Sequence, residues 1–320
     1  MLRDFTGLRH SVVPGTRTTA ISCEGVVRRL EKLLAAYPLG TDACDWPLAA
    51  AAPAQLRGGP TLDDPLMPGL VEEAAPLLGT IGFVTGLTRP DAHFAYCLLS
   101  RHASAGRLTG RVFRHIVRLG HYLVRTRGLH LTLTAPARLA RPGGGSTLDL
   151  FDCFVDSSNG NADAGTSYGG FVLSSSAPPL GSDVASGGGA LAWCCKAPRE
   201  ADDSSAASEL RMATHAYKFV VAARNLLTEL GVGVSPSRAT DLHLDAQAVL
   251  DGTSCERLDK KSRWMAMRYA MLRWGIRCGT IRPLKRASED NPADGLTKCI
   301  TGAAFIRARA RLLGHPVPVG

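Results

Sequence analysis

Between Pro136 and Ser146 the chain carries two prolines and the run Gly143-Gly144-Gly145. Glycine loses more backbone freedom on ordering than any other residue, and proline removes a main-chain donor, so neither a helix nor a strand is expected to cross this stretch. The chain therefore reads as two parts, residues 1–140 and 148–320, joined by a glycine-rich linker over 141–147. At roughly 150 residues per domain, 320 residues suit two domains, and 45% apolar composition supplies each with a core. A second Gly/Ser/Pro-rich stretch, Ser174 to Gly189, lies between two strand-like runs, Gly170–Leu173 and Ala190–Trp193, and reads as a long hairpin loop.

The first part reads as helical. Gly25 to Tyr37 places Val26, Val27, Leu30, Leu33 and Leu34 at helix spacing, and Pro38-Leu39-Gly40 ends it. Pro76–Leu87 and Asp91–His102 give two more helices, followed by one over Leu108–Arg127. On a 100° wheel Arg111, Arg114, Arg118, His121 and Arg125 share one face of that last helix, while Phe113, Ile116, Val117, Leu123 and Val124 share the other. From Ala92 to Leu148 there are nine arginines and no acidic residue. A run of one sign favours phosphate over a merely solvated face, and Arg111, Arg114, Arg118 and Arg125 are the expected nucleic-acid contacts. No aromatic ladder accompanies them, so the expected contacts are with the backbone.

The second part is expected to be α+β, with a five-stranded mixed sheet and flanking helices. Its first strand ends in Asp156; Tyr168–Leu173 and Ala190–Lys196 follow as strands, and Ser204–Leu230 as a long helix closed by Gly231. Glu209 shares a stripe of that helix with Ala213, Ala216, Val220, Ala223 and Leu227, so its carboxyl should point at the sheet. A fourth strand, Ala239–Leu244, ends in Asp245. A helix over Lys260–Trp274 should bury Trp264, Met267, Met271 and Trp274, a fifth strand is expected at Cys278–Ile281, and Asn291-Pro292-Ala293-Asp294 should open a last helix. Singly, Asp156 suits a turn, Glu209 a helix dipole, and Asp245 and Asp294 helix caps. As a set of converging oxygen ligands they would suit two Mg²⁺ or Mn²⁺ ions, and two such ions about 4 Å apart can activate water and stabilise a leaving oxygen in phosphodiester hydrolysis.

Charge and cysteine usage narrow the class. A formal charge of +9 with a pI near 9.3 favours a polyanionic partner. Nine scattered cysteines without a C-x-x-C suggest neither a disulfide framework nor a zinc knuckle, and read as reduced and intracellular, cytoplasmic or nuclear. No apolar leader follows Met1, and the apolar run near Ala74–Thr88 reads as too short to span a bilayer, so no membrane association is expected.

These residues resemble the ribonuclease H domain of copia-type retrotransposon polyproteins. Asp156-Ser157-Ser158-Asn159-Gly160 through Gly169-Gly170-Phe171-Val172-Leu173 resembles the opening strand, turn and second strand of that family, and Gly189–Lys196 its third strand. Ser204–Gly231 resembles its Ser-Ser-Thr-Glu-Ala-Glu helix, Leu242–Leu250 its Cys-Asp-Asn-Gln-Ser-Ala segment, and Asn291–Lys298 its Ala-Asp-x-Leu-Thr-Lys ending. Upstream, Gly82–Arg101 and Arg111–Leu133 resemble the Thr-Arg-Pro-Asp-Ile motif and the helix that end its reverse transcriptase segment. The resemblance implies Asp156, Glu209, Asp245 and Asp294 as metal ligands, and cleavage of RNA in RNA–DNA hybrids. Neither Asp63-Asp64, which precedes Pro65, nor Asp202-Asp203, which precedes a helix, can be a polymerase Tyr-x-Asp-Asp hairpin. A polymerase portion of the same polyprotein is therefore a second expected partner. The alternative from another class is a noncatalytic nucleic-acid-binding remnant of a retroelement on the same fold.

Overall fold

The computed structural model describes residues 2–16, 18–39, 45–57, 59–104, 106–134, 151–158, 167–175, 188–198, 202–231, 239–255 and 260–317. The expected linker at 141–147 and most of the expected hairpin loop lie outside them. Two compact units are present, residues 1–132 with 298–320, and residues 133–297. The second unit thus closes at Thr297, and the last 23 residues of the sequence-based second part belong with the first unit.

The first unit opens on strands rather than helices. β1 (Leu2–Phe5), β2 (Leu8–Val12) and β3 (Thr18–Ser22) pair antiparallel in sequence order, with a two-residue Thr6-Gly7 turn between Phe5 and Leu8. These strands are four or five residues long and polar, so they lack the apolar alternation that announces a strand. Then come α1 (Glu24–Leu34), α2 (Ala52–Arg57), α3 (Val71–Leu87), α4 (His93–His102), α5 (Gly110–Arg125) and β4 (Leu131–Thr134). Leu30, Leu77, Ile81, Leu99, Ile116, Leu119 and Leu123 are fully buried among these helices. α3 starts five residues before Pro76, which sits inside it. With the 3-10 turn Pro68–Leu70 it makes a 20-residue run, Pro68–Leu87, apolar enough by length and composition to cross a bilayer, contrary to the sequence expectation. Its packing against α1, α4 and α5 accounts for the apolar residues Leu77, Ile81 and Val84.

Arg89 and Asp91 form a buried bidentate pair, Nε to Oδ1 and Nη2 to Oδ2, both 2.8 Å. Tyr122 on α5 donates to Asp91 Oδ2 at 2.6 Å, while Arg89 donates to the main-chain oxygen and hydroxyl of Thr126. A buried pair needs such added partners to offset desolvation. The Thr88-Arg89-Pro90-Asp91 segment is therefore a clamp between the end of α3 and the end of α5.

The second unit carries the expected α+β architecture. β5 (Phe151–Ser157), β6 (Gly169–Ser175) and β7 (Ala190–Lys196) form an antiparallel meander; α6 (Ser205–Glu229) then crosses to β8 (Thr240–Leu244), which lies parallel to β5. α7 (Gln247–Ser254) and α8 (Ala266–Arg277) lead to β9 (Ile281–Lys285), parallel to β8, giving the mixed order β7-β6-β5-β8-β9. The core joins Cys153, Val155, Phe171, Leu242 and Leu244 of the sheet to Leu210, Ala213, Ala216 and Val220 of α6 and Leu272 of α8.

Three local expectations are corrected. Trp264, Met267 and Trp274 are 48%, 82% and 61% exposed, and α8 buries Tyr269, Leu272 and Gly275 instead. Residues Lys260–Met265 are 3-10, turning about 120° per residue rather than 100°, which dephases a single helical wheel drawn from 260. Cys278–Thr280 is a turn and not a strand. Gly279, at φ 67°, donates to Ile276 O at 3.0 Å and Thr280 donates to Gly275 O at 2.8 Å, the paired bonds that stop a helix with a left-handed residue. The segment at Asn291 is a single 3-10 stretch, Pro292–Leu296, and the C-terminal helix Gly302–Leu313 is separate from it.

Candidate active site

β5 alternates between the two faces of the sheet. Cys153 and Val155 enter the core under α6, so Asp152, Phe154 and Asp156 lie on the opposite face. Asp156 pairs with Gly170 on β6, and a Cβ at Gly170 would lie 2.8 Å from Leu296 Cβ and 3.1 Å from Thr297 Cγ2. Glycine is needed there because the Pro292–Leu296 segment presses directly on the strand. Asn291 fixes that segment: its Nδ2 donates to Val155 O at 2.8 Å while its Oδ1 caps Ala293 N at 3.0 Å. Thr297 consequently places its hydroxyl on Asp156 Oδ2 and also within 3.3 Å of Asp294 O. Asp156 is fully buried.

Glu209 approaches from the α6 side. Ser204 caps that helix by accepting from Ala207 N, which sets Glu209 in the second turn, facing the end of β8. Its Oε1 accepts from Asp245 N and Ala246 N, both at 2.9 Å. Burial, followed by the adjoining Asp245 carboxyl, pushes Glu209 up to about 9. Asp245 is the first residue after β8, and the parallel register Cys153↔Leu242, Phe154↔His243 extends to set it level with Asp156. Neighbouring strands are about 4.8 Å apart, so these two acids emerge side by side at the carboxyl ends of parallel strands. Asp294 stands in the Pro292–Leu296 segment, with the Ser288 hydroxyl donating to its carboxylate oxygens at 3.0 and 3.2 Å.

The four sequence-predicted acids thus reach one end of one sheet by four different elements. Their chemistry suits a hard divalent ion, since all four offer carboxylate oxygen and two of them are buried, where negative charge without a cation is costly. They are not drawn into a tight ligand set. Among the described residues, the group whose ligand atoms all lie within 4.8 Å of one another is Asp152, Asp241 and His243, which could hold a metal. There the Arg282 guanidinium already takes both Asp241 oxygens, at 2.7 and 2.8 Å. Thr297 and Asn291 join the site through their contacts with β5, and their sequence signal is the Asn-Pro-Ala-Asp-Gly-Leu-Thr string that carries Asp294.

The arginine face of α5 lies in the first unit. Arg114 and Arg125 are exposed, and Arg111 and Arg118 are half-buried. The absence of acids within the run does not leave it unopposed: Asp64 reaches Arg111 at 3.5 Å, Asp45 reaches Arg125 at 3.8 Å and Glu31 reaches Arg127 at 3.2 Å. Arg111, Arg114 and Arg118 nonetheless line a cavity of about 640 Å³ with Tyr37 and Gln55. His115 between them falls to about 4, through burial and then the surrounding arginines.

No family model matches the chain, and no curated protein matches it. Solved structures do. The N-terminal RNase H domain of a Mycobacterium tuberculosis protein is 14% identical over 46% of this chain and 89% of that one, with a TM-score of 0.31. RNase H1 of the halophilic archaeon Halobacterium salinarum is 16% identical over 46% of this chain and 93% of that one, at 0.30. A foamy viral protease-reverse transcriptase in complex with double-stranded DNA is 12% identical over 90% of this chain and 38% of that one, at 0.42.

Proposed function

We propose that the second unit is a ribonuclease H that hydrolyses the RNA strand of RNA–DNA hybrids, and that the chain derives from a copia-type retrotransposon polyprotein. The observation that carries this is the Glu209 carboxyl seated on the main chain of Asp245, with Asp156 level with Asp245 on the adjacent parallel strand. Asp156, Glu209, Asp245 and Asp294 would hold two Mg²⁺ or Mn²⁺ ions, which would supply an activated water and neutralise charge on the departing oxygen. The chain's own part is positional. Thr297 orients the Asp156 carboxyl, Asn291 holds the segment that carries both Thr297 and Asp294, and the Asp245 and Ala246 amides aim Glu209. A reverse transcriptase tail within the first unit and a ribonuclease part that closes at Thr297, the α5 arginines as hybrid contacts, and an intracellular location complete the proposal.

The test is a labelled hybrid incubated with the purified chain and Mg²⁺ or Mn²⁺. Cleavage of the RNA strand that EDTA stops is the expected result. Intact RNA at micromolar folded protein, with the hybrid still bound, favours the noncatalytic remnant.

A further inference from the structure

Asp152 on β5 and Asp241 and His243 on β8 share the face of the sheet opposite α6, because they alternate with Cys153, Leu242 and Leu244, which enter the core. The parallel register Cys153↔Leu242 sets Asp152 level with Asp241. One ligand atom from each of the three side chains lies within 4.8 Å of the other two. Like charges placed opposite each other on adjacent strands repel, so this placement favours a cation between them. Arg282, level with Asp241 on β9, supplies one: its Nε and Nη2 donate to the two Asp241 oxygens at 2.7 and 2.8 Å. The Arg282 side chain is 64% exposed, so it can turn away into solvent.

The imidazole makes this more than an acidic pair bridged by arginine. His243 Nδ1 is buried and has no hydrogen-bond partner among the described residues. Buried polar atoms are nearly always satisfied, and a neutral imidazole offers a lone pair that a metal can take. Phe154, beside His243 in the register, stacks on the ring with centroids 4.5 Å apart and planes 13° apart, which fixes its orientation. One imidazole nitrogen with two carboxylate oxygens suits Zn²⁺, which accepts both donor types, whereas Mg²⁺ keeps to oxygen and dehydrates reluctantly. Around tetrahedral zinc, with bonds of about 2.0–2.1 Å, neighbouring ligand atoms stand about 3.4 Å apart, and rotation of the two half-buried carboxylates can close the set.

We propose that Asp152, Asp241 and His243 bind Zn²⁺, with water in the fourth position, and that Arg282 is the counter-ion which the metal displaces. The ion would clamp β5 to β8, the strands that lead to Asp156 and Asp245, without sharing a ligand with the four acids. Asp152 precedes Asp156 by four residues, about 13 Å along the strand at 3.3 Å per residue. Zinc affinity here is independent of the ribonuclease reading.

The test follows the His243 imidazole resonances of the full chain above pH 7, where histidine is ordinarily neutral, as Zn²⁺ is titrated with Mg²⁺ in excess. Wild type is compared with Asp152→Asn and Arg282→Gln. Asp152→Asn removes a ligand and also relieves like-charge repulsion, so the fold should survive, and circular dichroism checks it. Saturable shifts are expected in the wild type, with affinity at least tenfold weaker in Asp152→Asn and about tenfold tighter in Arg282→Gln. Zn²⁺ should also raise the wild-type Tm relative to that of Asp152→Asn, since a ligand held by the folded state stabilises it. Resonances that stay in place at millimolar Zn²⁺, or that move equally in Asp152→Asn, would overturn the site. Equal shifts with Mg²⁺ alone would overturn the choice of zinc, and unchanged affinity in Arg282→Gln would overturn the exchange with Arg282. None of these measurements reads cleavage, so failure of the ribonuclease reading stays distinct from failure of this one.

Discussion

Glu209 Oε1 accepts hydrogen bonds from the amides of Asp245 and Ala246, which ties the second turn of α6 to the first residues after β8. Those amides favour an ionised carboxyl, yet burial and the Asp245 carboxyl outweigh them and raise Glu209 to about 9. A folded pKa above the unfolded value means that the folded state holds the extra proton. Its stabilising contribution is complete below about 4.5 and is lost as pH rises through about 9. Glu209→Gln fixes the neutral form and keeps the acceptor. In EDTA the wild-type Tm should therefore fall between pH 5 and pH 9 relative to this variant; parallel curves would contradict a raised Glu209 pKa.

Thr297 tests positioning. Thr297→Val removes the hydroxyl on Asp156 but keeps the shape, and loss of such an orienting partner typically costs 10–100-fold in activity or metal affinity. The fall should appear in kcat and in the Mg²⁺ concentration needed for half-maximal rate, with KM for hybrid unchanged. Thr297→Ser should restore most of it. Equal losses in both variants would mean that Thr297 acts only by packing.

How much could be read beforehand depends on what fixes each element. β7 and α6 were legible because an unbroken apolar run and a strong helix stripe, with Ser204 before it and Gly231 after it, each specify their own structure. Asp156, Glu209, Asp245 and Asp294 were legible as acids at the ends of such elements. The clamp of Thr297 on Asp156 was not, because it spans 141 positions and depends on how closely Leu296 approaches Gly170. The ion pairs of Arg111 and Arg125 were hidden for the same reason: Asp64 and Asp45 lie far upstream. The β1–β3 meander gave no signal because its strands are short and half-polar.

The Arg89–Asp91–Tyr122 clamp predicts stability effects in the first unit. Asp91→Ala leaves a buried guanidinium unpaired and should cost about 3–5 kcal/mol. Tyr122→Phe removes one hydrogen bond to a charged acceptor and should cost about 1.5–3 kcal/mol. Denaturant unfolding measures both, and a cost below about 1 kcal/mol for Asp91→Ala would contradict the clamp.

Replacing Arg111, Arg114 and Arg118 by Gln should weaken hybrid binding for every sequence and flatten its salt dependence. Because Arg111 is already engaged by Asp64, the slope should shrink by less than the three units that three free contacts would give. An unchanged slope would assign this face to docking against a polymerase portion.

The most direct measurement compares wild type with Asp156→Asn on one labelled RNA–DNA hybrid, with cleavage read on a gel in Mg²⁺ or Mn²⁺ and binding read in EDTA. The amide keeps the size of the side chain and removes the charge that a metal ligand needs. Wild-type cleavage, abolished in Asp156→Asn with hybrid affinity nearly intact, is the predicted result. Cleavage by Asp156→Asn within a few-fold of wild type would contradict the assignment of this acid and turn attention to Asp152 on the same face of β5.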